Sequence, residues 1–431
     1  MLNNGVGKMT KGIIHIEELG PLKNVDIELA QLMLFTGASN LGKSYVNFLC
    51  YYVFSLFANN RIQRFLSNKI EGKIAKGDKL SFSFSLSDLR RWMMEDARIF
   101  MRELLNYPDL PCSVSFDFGK DLEYAVTYEV QNLEEIEASL KWAMLTINNK
   151  QVSFYTPAGV VSQSQRISSM IGYFLTEELL GKQLLRSYLL PPGRASLLDN
   201  SFSVQAQASK LGIYNIFLRD YDVITSRRND DMKNTDMEFF KSRIRKLIHG
   251  ETEIAKEGAV LKLKNGQKVP LSAAASSIKE LSPLLFWIQN CEVKSDSICI
   301  EEPEAHAHPE MQFDIADLLV ACVNKGAFMQ ITTHSDYLLS RVNQLIKLDY
   351  LKKEEPDRFK DFCREYRHSP NLTLDPEKIK AYYFYIEDDI IKMKKQNVRD
   401  GIPFDSFSSI VQKQIDLDDV LDASSMMRED E

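Results

Sequence analysis

The sequence predicts an α/β fold with a mixed sheet, an antiparallel β subdomain and a helical insertion. Three observations lead there. An apolar strand, LMLFT, runs into a Gly-rich loop and then into an apolar helix over 43–58. Further on, a helix (about 277–290), a strand (SICIEE), a helix (about 309–325) and a strand (FMQITTH) alternate, the pattern of a largely parallel sheet. Between these regions lie period-two runs broken by turn residues, which read as hairpins.

From the N-terminus, GIIHIEEL, VDIELA and QLMLFTG read as short strands separated by Gly20-Pro21 and Lys23-Asn24. Residues 59–108 are expected to be mostly helical. CSVSFDFGKDLEYAVTYEV reads as one hairpin turning near Gly119-Lys120, and AMLTINNKQVSFYT as another turning at Asn148-Asn149. Helix returns over 163–187 and again between Asp222 and His249. In the second stretch Met237, Phe240, Ile244, Leu247 and Ile248 share a face and Gly250 supplies the stop. VLKLKNGQKVPL is a hairpin with an Asn-Gly turn. Beyond residue 345 one strand, KAYYFYIE, stands out, and the acidic end (IDLDDVLDASSMMREDE) is expected to be flexible. The resulting organisation is 1–58, 59–250 (the insertion), 251–345 and 346–431 (a mixed extension).

The composition, 44% hydrophobic and 26% charged over 431 residues, is that of a folded chain with a sizeable core. The net charge of −7 argues against a protein that coats nucleic acid, while a local basic face is left open. Six cysteines without a C-x-x-C pair read as reduced core thiols. The N-terminus has no apolar run of signal-peptide type, and the stretch from Tyr45 to Ala58, interrupted by Asn47, is too short to span a bilayer. The expectation is a cytoplasmic protein with no membrane partner.

Gly37-Ala38-Ser39-Asn40-Leu41-Gly42-Lys43-Ser44 fits G-x-x-x-x-G-K-[ST], the P-loop. Its glycines let backbone N–H groups turn toward phosphate oxygens, and the helix that follows adds its positive end. ATP is therefore the expected ligand, held by Gly37, Asn40, Gly42, Lys43, Ser44 and Tyr45. Lys43 reaches the β- and γ-phosphates, and Ser44 ligates Mg²⁺. The buried strand SICI ends in Glu301-Glu302. Consecutive side chains diverge at a strand's end, so one acid can hold Mg²⁺ (Glu301) while the other acts as general base (Glu302). His334, capping the next strand, is placed to contact the γ-phosphate and the attacking water. His306 and His308 lack further ligands at zinc spacing and are read as loop residues.

With these elements in order, the chain resembles ABC-type ATPases of the SMC/RecF/OLD group, above all the stand-alone AAA-domain ATPases of prokaryotic anti-phage systems such as PARIS and Septu. The residues that carry the resemblance are GPLKNVDIELAQLMLFTGASNLGKS, YLLPPGRASLL, PLSAAASSIKELSPLL, EEPEAHAHPE and ITTHSDYLL. It implies a P-loop NTPase fold of ABC-ATPase type. It also implies at least a homodimer, in which Ser276 and Ser277 of one subunit face the nucleotide of the other. The run Ala275-Ser276-Ser277-Ile278 lacks the glycine of the family's signature, and Glu301 stands where Asp is more usual, so hydrolysis is expected to be slow. Arg194 is read as a phosphate or interface contact, and Gln163 and Gln165 are weak candidates for a further polar contact.

OLD-type relatives append a nuclease. Here Glu387, Asp388 and Asp389 sit beside a single strand and do not form its spaced acids, so a separately encoded effector is the expected partner. Two alternatives stay open. One is a RecF- or SMC-like DNA-repair ATPase using Arg227, Arg228, Lys241, Arg243, Arg245 and Lys246. The other is an ATP-gated interaction module that does not hydrolyse.

Overall fold

The computed structural model describes residues 12–70, 79–131, 140–157, 162–199, 212–226, 234–255, 258–399, 401–403 and 411–421. Along the chain, β1 (Ile13–Leu19), β2 (Leu22–Glu28) and β3 (Leu32–Gly37) lead into α1 (Lys43–Ala58) and α2 (Gln63–Ile70). Then come β4 (Lys79–Ser85), α3 (Leu86–Leu105), β5 (Cys112–Asp117), β6 (Glu123–Gln131), β7 (Leu140–Ile147), β8 (Lys150–Pro157) and α4 (Gln163–Leu180). The middle of the chain forms β9 (Arg186–Leu190), α5 (Arg194–Asp199), α6 (Gly212–Ser226), α7 (Asn234–Ile248), β10 (Gly250–Ala255), β11 (Gly258–Leu263) and β12 (Lys268–Pro270). Last are α8 (Ser276–Asn290), β13 (Asp296–Glu301), α9 (Pro309–Lys325), β14 (Phe328–Thr332), α10 (Asp336–Glu354), α11 (Pro356–Glu365), β15 (Ile379–Glu387) and β16 (Ile390–Gln396).

The central sheet has the order β16-β15-β3-β14-β13-β9. All its strands are parallel except β16, which closes one edge antiparallel to β15. Its strands are apolar on both sides because both faces are covered. On β3, Met33 and Phe35 point into one core with α1, while Leu32 and Leu34 point into a second core with α8, α9 and α10. The same alternation places Cys299 on the first side and Ile298 and Ile300 on the second. Helix α1 is buried almost all round. Phe54 meets Phe328 of the sheet at 5.5 Å, and on its outer side Tyr52 meets Phe100 of α3 at 5.2 Å. Three antiparallel sheets, β2-β1-β5, β4-β6-β7-β8 and β10-β11-β12, flank this centre. The mixed sheet, antiparallel β sheets and inserted helices are those the sequence predicts.

Several local expectations change. KLSFSFS forms β4 rather than helix, its alternation pairing with β6. The segment expected to be one hairpin near Gly119 is split, since β5 pairs with β1 and β6 with β4 and β7. The Asn148-Asn149 turn does join β7 to β8, with both residues at positive φ as a tight hairpin turn requires. Helix α7 stops at His249 (φ 50°), and Gly250 already belongs to β10. Phe240, Ile244, Leu247 and Ile248 are buried as expected; the Met237 side chain lies outside those described. Asp388 and Asp389 form the β15–β16 turn. The acidic end includes an exposed helix over 411–421. The central sheet also crosses the expected boundaries. β9 comes from within 59–250, and β15 and β16 come from beyond 345, because their apolar faces complete the two cores.

Candidate functional site

The parallel strands β3, β13 and β14 all end on one edge of the sheet, the edge where ligands of open α/β sheets bind. β3 ends at Gly37, whose φ is 121°. A Cβ there would lie 2.1 Å from the Phe384 carbonyl oxygen of β15, so only glycine allows the loop to leave the sheet at this point. The loop turns through Asn40 (φ 63°) to Gly42 (φ 84°), the N-cap of α1. As a glycine, this N-cap brings no capping side chain of its own, and the first turn of the helix carries no acid. The free N–H groups and the positive end of the helix therefore face the cleft, a setting suited to phosphate.

The Lys43 ammonium lies inside the loop and donates to the Gly37 and Ala38 carbonyls at 3.1 and 2.5 Å. Burial lowers its pKa to about 8, against the pull of Glu301 and Glu302. Ser44 Oγ donates to Glu301 Oε2 at 2.5 Å, and Asn47 Nδ2 donates to Glu301 Oε1 at 2.6 Å. Burial raises the Glu301 carboxyl, and those two hydrogen bonds oppose the rise. The hydroxyl of Ser44 and the carboxylate of Glu301 are hard oxygen donors at the mouth of a phosphate-binding helix, the donor set Mg²⁺ takes.

At Glu302 the backbone turns into the left-handed region (φ 45°), fixed by its N–H donating to the Thr332 carbonyl at 3.1 Å. This sends Glu301 inward and leaves Glu302 half-buried at the mouth. Glu302 Oε1 and His334 Nε2 are 3.7 Å apart. Burial lowers the His334 pKa and Lys43 lowers it further, with Glu302 opposing, so the ring is neutral at pH 7. Behind it, Glu304 Oε1 accepts from Thr333 Oγ1 at 2.6 Å and from the His334 N–H at 2.8 Å.

The cleft between these groups has a volume of about 460 Å³ and is lined by Pro21, Asn40, Gly42, Lys43, Ser44, Tyr45, Glu301, Glu302, Thr332 and His334 among others. The structure thus gathers the residues expected from sequence, with three exceptions. Gly37 shapes the loop from behind. Ser276 and Ser277 open α8 elsewhere, the first exposed and the second half-buried, beyond an Ala275 N-cap that makes no side-chain bond.

Other candidates resolve differently. Arg194 lies neither in the lining of the cleft nor at the surface: it is 1% exposed and bonded to Glu280, Pro191 and Glu301. Gln163 donates to the Tyr128 hydroxyl, and Gln165 completes the capping box of α4. His308 caps α9. Asn47, Thr332 and Glu304 were missed. Asn47 did leave a signal, as the one amide in an otherwise apolar helix, three residues after Ser44 and so on its face.

Residues 196–339 match the AAA ATPase domain family (AAA_15), a stretch that includes Ser276, Glu301, Glu302 and His334. No curated protein matches the chain. Among solved structures, the SMC head bound to the C-winged helix domain of ScpA shares 12% identity, with 90% of this chain and 98% of that one covered and a TM-score of 0.38. The SMC head domain from Thermotoga maritima shares 9%, covering 90% and 100%, with a TM-score of 0.35. A Pyrococcus furiosus Smc head with an extended coiled coil, bound to the C-terminal domain of ScpA, shares 12%, covering 94% and 98%, with a TM-score of 0.34. At such scores the likeness carries no argument about function. The P-loop cleft and the AAA ATPase match together support an ATP-binding ATPase. Among the described residues no helix is long and apolar enough to cross a membrane.

Proposed function

We propose that the chain binds Mg²⁺-ATP in this cleft and hydrolyses it slowly as a homodimer or larger homo-oligomer, acting as a sensor or scaffold that controls a separately encoded effector in anti-phage defence. The observation that carries the ATPase reading is the 2.5 Å contact between Ser44 and Glu301, which unites the P-loop with the acidic strand end. Lys43 and the α1 amides would hold the β- and γ-phosphates. Ser44 and Glu301 would hold Mg²⁺, which offsets phosphate charge when bound. Glu302 accepts a proton from water as the water oxygen bonds to the γ-phosphorus and the bond to ADP breaks. Neutral His334 orients that water. Tyr45 and Asn40 line the remaining wall of the cleft.

The oligomer reading rests on the exposed start of α8 at Ser276, whose amides are free of side-chain capping and can close over a nucleotide held by a second copy. The effector role rests on the motif resemblance alone. For the DNA-repair alternative the local basic face is largely committed within the chain. Arg243 lies 3.8 Å over the Phe239 ring, Arg245 pairs with Glu251, and Lys246 pairs with Asp314; Arg227 and Arg228 lie outside the described residues.

The test is ATP turnover by the purified chain. Glu302→Gln should bind ATP but lose about a hundredfold or more in turnover, the usual worth of a general base. Lys43→Ala should lose both. Turnover that survives either change refutes the site. ATP binding without turnover in the wild type would favour the interaction module, and salt-sensitive stimulation by DNA would favour the repair reading. An effector that co-purifies and is released by ATP or a phage product supports the defence role.

A further inference from the structure

Arg194 is among the largest side chains buried in the protein, and nothing in the proposed chemistry uses it. It follows β9 through Pro191-Pro192-Gly193, where Gly193 (φ 68°) turns the chain beneath the end of β13. Its Nε donates to the Glu280 carbonyl of α8 at 2.7 Å, and its Nη1 donates to the carbonyls of Pro191 and Glu301, both at 2.9 Å. The Glu280 carboxylate, itself 1% exposed, lies 3.4 Å from Nε and also accepts the Ala195 N–H at 3.2 Å. One guanidinium thus joins the helix that begins at Ser276 to the backbone of the acid that meets Ser44.

Two buried atoms nearby are left over. Among the described residues, Arg194 Nη2 has no hydrogen-bond partner, nor has Glu304 Oε2, and Glu304 is one of the carboxylates whose charge acts on Arg194. The other Glu304 oxygen holds Thr333 and His334. A buried ion pair with an unsatisfied donor is a poor way to gain stability, since apolar packing of the same volume is often as good or better. An unused donor and an unused acceptor instead leave the cluster a second way to bond.

We infer that Arg194 is a positioning residue through which α8 sets the orientation of Glu301 and Glu302, so that a second copy engaging Ser276 is felt at the catalytic acids. The inference rests on the dimeric ATPase reading above. Pulling on Glu280 moves the Glu301 carbonyl through Nη1, and the left-handed turn at Glu302 begins one bond later.

The experiment compares full-length wild type with Glu280→Gln, which keeps shape and removes the charge, and with Arg194→Lys, which keeps charge and removes the fork. The readouts are ATP affinity by equilibrium binding, kcat, thermal midpoint and the dependence of specific turnover on protein concentration. For Glu280→Gln the expected result is ATP affinity within about twofold of wild type and kcat down roughly tenfold or more, as a small misplacement of catalytic groups produces. Its turnover should also respond less to protein concentration. Should Arg194→Lys not fold, Glu280→Gln still decides. Unchanged kcat in a folded Glu280→Gln overturns the inference alone, as does a fall in kcat matched by a loss of ATP affinity. A wild type without turnover overturns both this inference and the function beneath it.

Discussion

Ser44 Oγ and Glu301 Oε2 lie 2.5 Å apart although 257 positions separate them in sequence. The pair closes the cleft from two sides, one partner on the first turn of α1 and the other at the end of β13. Removing the hydroxyl should leave the loop and its amides intact while taking away an oxygen ligand. Ser44→Ala is expected to keep Mg²⁺-independent nucleotide binding and to lose about tenfold or more of the Mg²⁺-dependent gain, the worth of one charge-assisted contact. Titrating nucleotide with and without Mg²⁺ checks this. An undiminished Mg²⁺ gain would remove Ser44 from the metal site.

Asn47 holds the other Glu301 oxygen at 2.6 Å from within a mostly apolar helix. Asn47→Ala strips a donor from a carboxylate that is 2% exposed. The expected loss is about 1–3 kcal/mol of stability, from leaving a buried acceptor short of a partner. Denaturant midpoints at constant slope measure it, and a neutral substitution would mean that Ser44 and Thr332 suffice to hold the acid.

What the sequence makes legible follows from how local each feature is. The loop from Gly37 to Ser44 and the run Glu301-Glu302 are contiguous, and their chemistry shows in residue type and spacing. The placement of β15 beside β3 is not contiguous: it brings Phe384 against Gly37, yet nothing near either residue announces the other. The same holds for β9, whose partner β13 lies about a hundred residues on. KLSFSFS is masked by the helical patterns on either side of it, and CSVSFD and EYAVTYEV look like one hairpin because adjacency in sequence mimics adjacency in a sheet. Arg194 shows the limit for side chains. An arginine after Pro-Pro-Gly reads as a phosphate or interface contact, and only the assembled fold buries it.

A pH-dependent contribution to stability is expected at Asp220. Its Oδ2 accepts the Leu189 N–H at 3.0 Å, serving the open edge of β9 beside Asn59, which bonds both backbone groups of Ser187. Burial raises the Asp220 pKa from 3.8 to about 7, with Arg219 opposing. A carboxyl raised on folding binds its proton more tightly in the folded state. Its contribution is therefore fully present below pH 3.8 and lost as pH climbs through about 7. Asp220→Asn keeps the acceptor and cannot ionise. The stability of this variant relative to wild type should rise between those limits and level above them, by at most on the order of 4 kcal/mol. A relative stability that stays flat from pH 4 to pH 8 would rule out the raised pKa.

Glu304 is expected to govern His334 through the backbone. A single oxygen gathers Thr333 Oγ1 and the His334 N–H, and Ser335 N in turn donates to Thr333 Oγ1 at 3.0 Å. The loop after β14 is thereby held in one shape ahead of α10, with its ring toward Glu302. Burial also raises the Glu304 carboxyl, and its hydrogen bonds from Thr333 and His334 oppose the rise. Glu304→Gln, which keeps the accepting oxygen, should turn over ATP at close to the wild-type rate. Glu304→Ala removes both bonds; it should lose roughly tenfold or more in kcat and about 1–3 kcal/mol in stability, with ATP affinity little changed because Lys43 and the α1 amides are untouched. Steady-state kinetics and denaturant unfolding of the two variants separate the effects. Equal turnover by Ala and Gln would show that His334 keeps its place without this clamp.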